Sequence, residues 1–166
     1  MKAVLLLLIL VLVIVPVVYG RATPNDTYQA KRDSFQKVLD DTKDVSKRNQ
    51  LISADKTLVQ INQAVCLRFE GEVNKLVAIM SELKIRKGIA DLPTVVAYGV
   101  AKNQLESADY WINFAAEAVA YQKSQDYTPL ASIVTSKNEL KGDLQVLAGK
   151  VLKAKSEVSK ALNYEK

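Results

Sequence analysis

The chain has 166 residues, enough for one domain, and a formal net charge of +5 with both signs interspersed. It contains no His and a single Cys, which removes the commonest general base and metal ligand and excludes a thiolate metal cluster or an internal disulfide. Abundant Ala, Lys, Leu and Val with only six Gly and four Pro is the composition of long amphipathic helices, and no long run of strict apolar/polar alternation signals a sheet.

Residues 1–20 read as an export leader. Lys2 is a minimal charged start, Ala3–Val15 is an unbroken apolar run, Pro16 interrupts it, and Val18 and Gly20 offer modest or small side chains at a cleavage site. The alternative is an uncleaved membrane anchor, for which the run is slightly short. Cleavage removes Lys2 and lowers the net charge from +5 to +4. That charge is mild, and nucleic acid is not expected as a partner. A membrane would be met only through the N-terminal segment if it stays attached. The expected location is extracytoplasmic, secreted or at the cell envelope.

Residues 21–27 form a polar linker, with Asp26 or Thr27 as a helix N-cap. Asn25-Asp26-Thr27 also matches a glycosylation sequon. Residues 28–50 carry a modest helical pattern (Tyr28, Phe35, Val38, Leu39, Val45). Asp33, Asp40, Asp41 and Asp44 read as a solvated helix face, because a calcium loop would need a turn and more closely spaced oxygens. This segment either extends the next helix or folds back as a fourth.

Residues 51–163 are expected to form a bundle of three long helices. The first carries the seam Leu51, Ala54, Leu58, Ile61, Val65, Phe69, Val73, Leu76, Met80, Leu83, with consecutive four-residue steps from Ile61 to Val73 that mark a stutter. Lys84, Arg86 and Lys87 suit a helix C-terminus, and Gly88 a C′ stop. Cys66 reads either as a small buried side chain or as an intermolecular disulfide partner. The central helix, Val95–Gln122, has one seam through Tyr98, Ala101, Leu105, Ala108, Ile112, Ala115 and Val119. A second runs through Val100, Ser107, Trp111, Phe114, Ala118 and Tyr121, and two seams call for two partner helices. Trp111, Phe114 and Tyr121 are either core or an exposed groove for an apolar ligand or a partner. A polar loop over 123–132 with Pro129 precedes a capping box at Ser136-Lys137-Asn138-Glu139. The last helix has a four-three repeat, Leu140, Leu144, Leu147, Val151, Ala154, Val158, Ala161.

The pattern Arg32-x-x-Phe35-x-x-x-Leu39-x-x-x-Lys43-Asp44 opens this layout. A Gly-containing turn, an Ala-rich helix, a tyrosine-bearing loop and Leu140-x-x-Asp143-Leu144 follow. In this the chain resembles uncharacterised exported helical proteins of candidate-phyla (Patescibacteria) bacteria, with fewer Arg in the long helix than that group shows. The resemblance implies export and a helical bundle, and assigns no activity, cofactor or site residue.

The fold expected is therefore all-α: an elongated antiparallel bundle of three long helices plus the N-terminal helical segment. Neither cofactor, metal nor catalytic residues are expected. The expected role is a structural or protein-interaction one, through helical faces to a partner or to further copies of the chain. A carrier or chaperone-like binder of apolar ligands around Trp111 is the alternative.

Overall fold

The computed structural model describes residues 24–90 and 103–163. They form four helices, α1 (Pro24–Asp41), α2 (Val45–Arg86), α3 (Asn103–Lys123) and α4 (Ile133–Asn163), and no strand occurs among them. Over the described residues the protein is all-helical, its helices packed against one another. Tyr98, Val100, Ala101 and the first turns of the expected central helix lie outside the described residues, as does the leader.

α1 begins at Pro24, whose fixed φ suits a first turn, so Asp26 and Thr27 fall inside the helix rather than capping it. The chain breaks at residues 42–44 without Gly or Pro. Asp40 and Asp41 at the end of α1 oppose its dipole. Asp44 then caps α2, its side chain accepting from the Ser46 and Lys47 amides at 2.8 and 3.2 Å. α1 is thus a separate helix. Its Phe35 and Leu39 meet Leu51 of α2, with Val38 and Ile133 alongside, in a small apolar cluster. From Val45 the second helix runs unbroken for 42 residues.

The main core joins α2, α3 and α4. Leu105, Ala108, Ile112, Ala115 and Val119, the alanine-rich seam, are all buried, as are Phe69, Val73, Leu76, Met80 and Leu83 of α2. Fully buried alanines let the neighbouring helices approach closely, and α3 packs on both α2 and α4. The α2 seam departs from its expected course at the stutter. Asn62 and Cys66 take interior positions, while Ile61 turns outward (44% exposed) and Val65 is half-buried.

Lys87 ends α2, and Gly88 follows at φ 66°. The Gly88 amide donates to the Ile85 carbonyl at 2.9 Å and the Ile89 amide to that of Lys84 at 3.0 Å, a Schellman closure. Buried Ile89 joins Leu83 in the core behind it. α4 starts one turn before the expected box. The Ser132 hydroxyl accepts from the Thr135 amide at 3.0 Å, making Ser132 the cap. Ser136 is instead buried and donates to the Thr128 carbonyl at 3.2 Å. The earlier start brings Ile133 onto the α1 cluster. The space beside Gly71, Gly142 and Gly149 is open, so none of them serves a close helix approach.

Gly88→Ala places a Cβ where nothing touches it, so only the left-handed backbone is penalised. A loss of about 1–2 kcal/mol is expected in urea unfolding; an unchanged midpoint would show that the closure does not hold the end of α2.

Candidate binding site

Two concave regions compete as the functional site, and their chemistry separates them. The first is a polar cleft of about 380 Å³ where α1, α2 and the 124–132 loop meet, bordered by Tyr28, Arg32, Asn62, Lys123, Asp126 and Tyr127. The loop, polar in sequence, is interior at its centre: Asp126, Tyr127, Thr128 and Pro129 are buried.

Its polar groups are turned on each other. The Asn62 amide donates to the Gln122 carbonyl at 3.0 Å, and Gln122 Nε2 donates to Asn62 Oδ1 at 2.9 Å and to the Tyr127 hydroxyl at 2.7 Å. The Tyr127 hydroxyl donates to Asp143 on α4 at 2.6 Å. Burial, and this donation to a carboxylate, raise its pKa well above the ordinary tyrosine range, so the hydroxyl keeps its proton. Arg32 reaches Asp55 at 2.6 Å and Asp126 at 2.7 Å. Burial opposes its charge, but the Asp55 hydrogen bond and both carboxylates outweigh that and hold it more firmly protonated. Asp126 further accepts from the Thr128 hydroxyl at 2.8 Å, and Lys31 donates to the Asp126 carbonyl at 3.1 Å. Most of these groups are committed to one another, Arg32 Nε and Asp55 Oδ1 being buried atoms left without a partner among the described residues, and the cleft is a structural joint.

The second region is a groove of about 390 Å³ between α2 and α4, and its wall is almost wholly apolar. Leu58 and Leu140 form its floor, and Ile61, Val65, Leu144 and Ala148 its sides. Three exposed cations border it: Arg68 on α2, and Lys137 and Lys141 one turn apart on α4. Arg68 lies over the Phe69 ring at 4.7 Å and has only a long contact, 3.9 Å, with Glu72. Neither Lys137 nor Lys141 has an ion-pair partner among the described residues. A bridge from Lys155 to Glu72 at 2.6 Å crosses between the two helices beyond Ala148. Past it a second depression of about 380 Å³ is lined by Ile79, Leu83 and Leu162. A monomer that keeps such a stripe exposed presents a surface suited to a partner.

The residues singled out from sequence are not brought together as one groove. Trp111 and Phe114 are half-buried, their rings 5.6 Å apart and nearly perpendicular. Tyr110, not anticipated, completes the cluster against both. Lys150 lies over Phe114 at 4.6 Å and Lys153 over Trp111 at 5.4 Å, so α4 lysines cap the aromatic faces. Tyr121 stands apart, 68% exposed, beside a separate small cleft with Asp143 and Lys150. Cys66 has no exposed surface; its thiol donates to Asn62 Oδ1 at 3.6 Å, and burial pushes its pKa up. A disulfide to a second chain would require the bundle to open.

One buried carboxylate ties α3 to α4. Glu157 accepts from Lys153 and Lys160, both at 2.8 Å, and from the Ser107 hydroxyl at 3.1 Å. The two lysines hold its pKa down to about 2 against an ordinary 4.5. Among the described residues no group of three or more His, Cys, Asp or Glu is placed to hold a metal, and no helix is long and apolar enough to cross a membrane.

Two substitutions check these contacts. Asn62→Ala removes the acceptor of half of the buried Gln122 amide and of the Cys66 thiol, and one of two donors to the Gln122 carbonyl, and should cost about 1–3 kcal/mol in urea unfolding; a loss of only a few tenths would show the pair to be dispensable. Because the Glu157 pKa is lower folded than unfolded, its contribution is complete above pH 4.5 and fades as pH falls towards about 2. Glu157→Gln should therefore unfold earlier than the parent at pH 7, with the gap closing between those limits; a gap independent of pH would contradict the assignment.

No protein-family model, no curated protein and no solved structure matches this chain, so its function has to be read from the groove, the joint and the faces described above.

Proposed function

We propose that the chain is an exported, non-catalytic helical protein with a structural or protein-interaction role at the cell envelope or surface. The observation that carries this reading is the apolar groove between α2 and α4, flanked by three exposed cations of which Lys137 and Lys141 have no ion-pair partner among the described residues. Export rests on the apolar Ala3–Val15 run and the small-residue site after Pro16, and agrees with the resemblance to exported helical proteins. The non-catalytic part rests on the groups whose acidity is displaced. Arg32, Cys66, Tyr127 and Glu157 are each committed to a structural contact, and none of them borders the groove.

The architecture proposed with it is an elongated bundle in which α3 runs antiparallel to α2 and α4, with α1 in line with α3. The supporting pairs are Asn62–Gln122, Glu70–Lys123 and Lys84–Asp109 between α2 and α3, and Glu72–Lys155 between α2 and α4. Along α2 the partners of α1, Leu51 and Asp55, precede those of α3. The groove then lies between two helices that ascend together.

A second reading, a carrier of apolar ligands, draws on the same groove rather than on Trp111, and one experiment separates the two. A photo-crosslinking phenylalanine derivative in place of Gln145, an exposed residue on the groove's edge, should capture a protein of defined mass in living cells. The captured chain should begin after Gly20. An adduct with lipid alone would support the carrier, and absence of any adduct would overturn both readings.

A further inference from the structure

We infer that the α2–α4 groove receives the apolar face of an acidic amphipathic helix supplied by another protein. The inference rests on the interaction reading above and names the kind of partner.

Four features of the groove point to that occupant. The first is length. From Leu58 to Phe69 on α2, and from Lys137 to Ala148 on α4, the groove spans eleven residue steps on each helix, about 17 Å at 1.5 Å per residue. That is three helical turns, the length over which a docked helix presents anchors at i, i+3 or i+4, and i+7. The second is shape. The groove between two packed helices is the seat a further helix takes in a bundle, ridge into groove, and no described element fills it.

The third is the placement of charge. Lys137 and Lys141, one turn apart, border the α4 side at its first turn, and Arg68 borders the α2 side beside Phe69, at the far end of the groove's span on that helix. Cations on both edges, two on α4 and one on α2, match carboxylates on both flanks of a docked helix. An acyl chain carries one charged group at one end and would leave the other edge unmatched. The fourth is self-repulsion. A second copy docking through the same face would bring these three cations against their own counterparts, so the rim disfavours pairing of this chain with itself while it favours an acidic partner. The Glu72–Lys155 bridge closes the far end of the seat.

The test uses the purified chain and three probes. One is a fluorescein-labelled helical peptide with a leucine face and glutamates on both flanks. Another has the same leucine face with lysines in place of the glutamates, and the third is laurate. By fluorescence anisotropy the acidic peptide should bind, and more weakly as salt is added. The lysine-flanked peptide should bind at least about tenfold more weakly, and the double variant Lys137→Glu with Lys141→Glu should lose about tenfold for the acidic peptide and gain for the basic one. Both lysines are exposed, and circular dichroism would confirm that the variant stays helical. Ile61→Asp, at an exposed wall position, should abolish binding of both peptides. Equal affinity for the two peptides, or binding of laurate with neither peptide bound, would overturn the inference. So would concentration-dependent dimerisation lost in Ile61→Asp. A cellular crosslink from position 145 to a protein whose captured segment is not acidic would overturn it while leaving the interaction reading intact.

Discussion

The reciprocal amide pair of Asn62 and Gln122 is the constraint on which the rest depends. Each side chain is buried, and each finds its partner on the other helix. A buried amide without a partner costs more than a made one contributes, so sliding α3 along α2 by even one residue is penalised. An all-apolar seam of leucines and alanines would tolerate several registers, and a polar pair inside it accepts one. From this pair the network spreads to the remaining elements. Gln122 reaches Tyr127, and Tyr127 reaches Asp143 on α4, while neighbouring Asp126 takes Arg32 of α1. The loop after α3 is thus the place where all four helices are tied together.

The same pair explains the groove. Placing Asn62 inside turns Ile61, one residue and about 100° earlier on the helix, towards the outer side that α3 does not cover. Cys66, following Asn62 by one turn, does the same to Val65. The stutter is therefore an exchange: an amide and a thiol go into the core, and two β-branched side chains go to the edge that faces α4. Specific register in the interior and an apolar surface outside come from one local choice of residues.

Much of this was legible beforehand, and what was not has physical reasons. The all-helical fold followed from heptad spacing, and the end of α2 from Gly88 behind a basic turn. The α3 seam was readable because Leu105, Ala108, Ile112, Ala115 and Val119 are apolar throughout. Reading α2 by hydrophobicity alone put Ile61 and Val65 in the seam, because nothing in their type distinguishes an edge from a core. Asn62 and Cys66 stand at interior positions that a hydrophobic count passes over. The break at 42–44 carries no Gly or Pro; its signal was Asp44 as a cap and two aspartates at the wrong end of a dipole. The 124–132 loop looked solvated because Asp, Tyr and Thr are polar, yet each has a partner that permits its burial. Tyr110 went unnoticed because it falls outside both seams, as a ring on the rim of a cluster does.

An exposed apolar groove is a standing liability, since water on Ile61, Val65, Leu144 and Ala148 favours any contact that covers them. The cations at its edges limit which contacts those are. Lys137, Lys141 and Arg68 keep their charged heads in water while their stems lie along the groove, so the seat stays hydrated at its borders and repels copies of itself. A neutral apolar chain entering it would gain burial but leave these charges with only solvent. An acidic helix gains the same burial and meets opposite charge on both flanks. The preference is a difference between two affinities, and it should therefore shrink with rising salt while the apolar part of the binding persists.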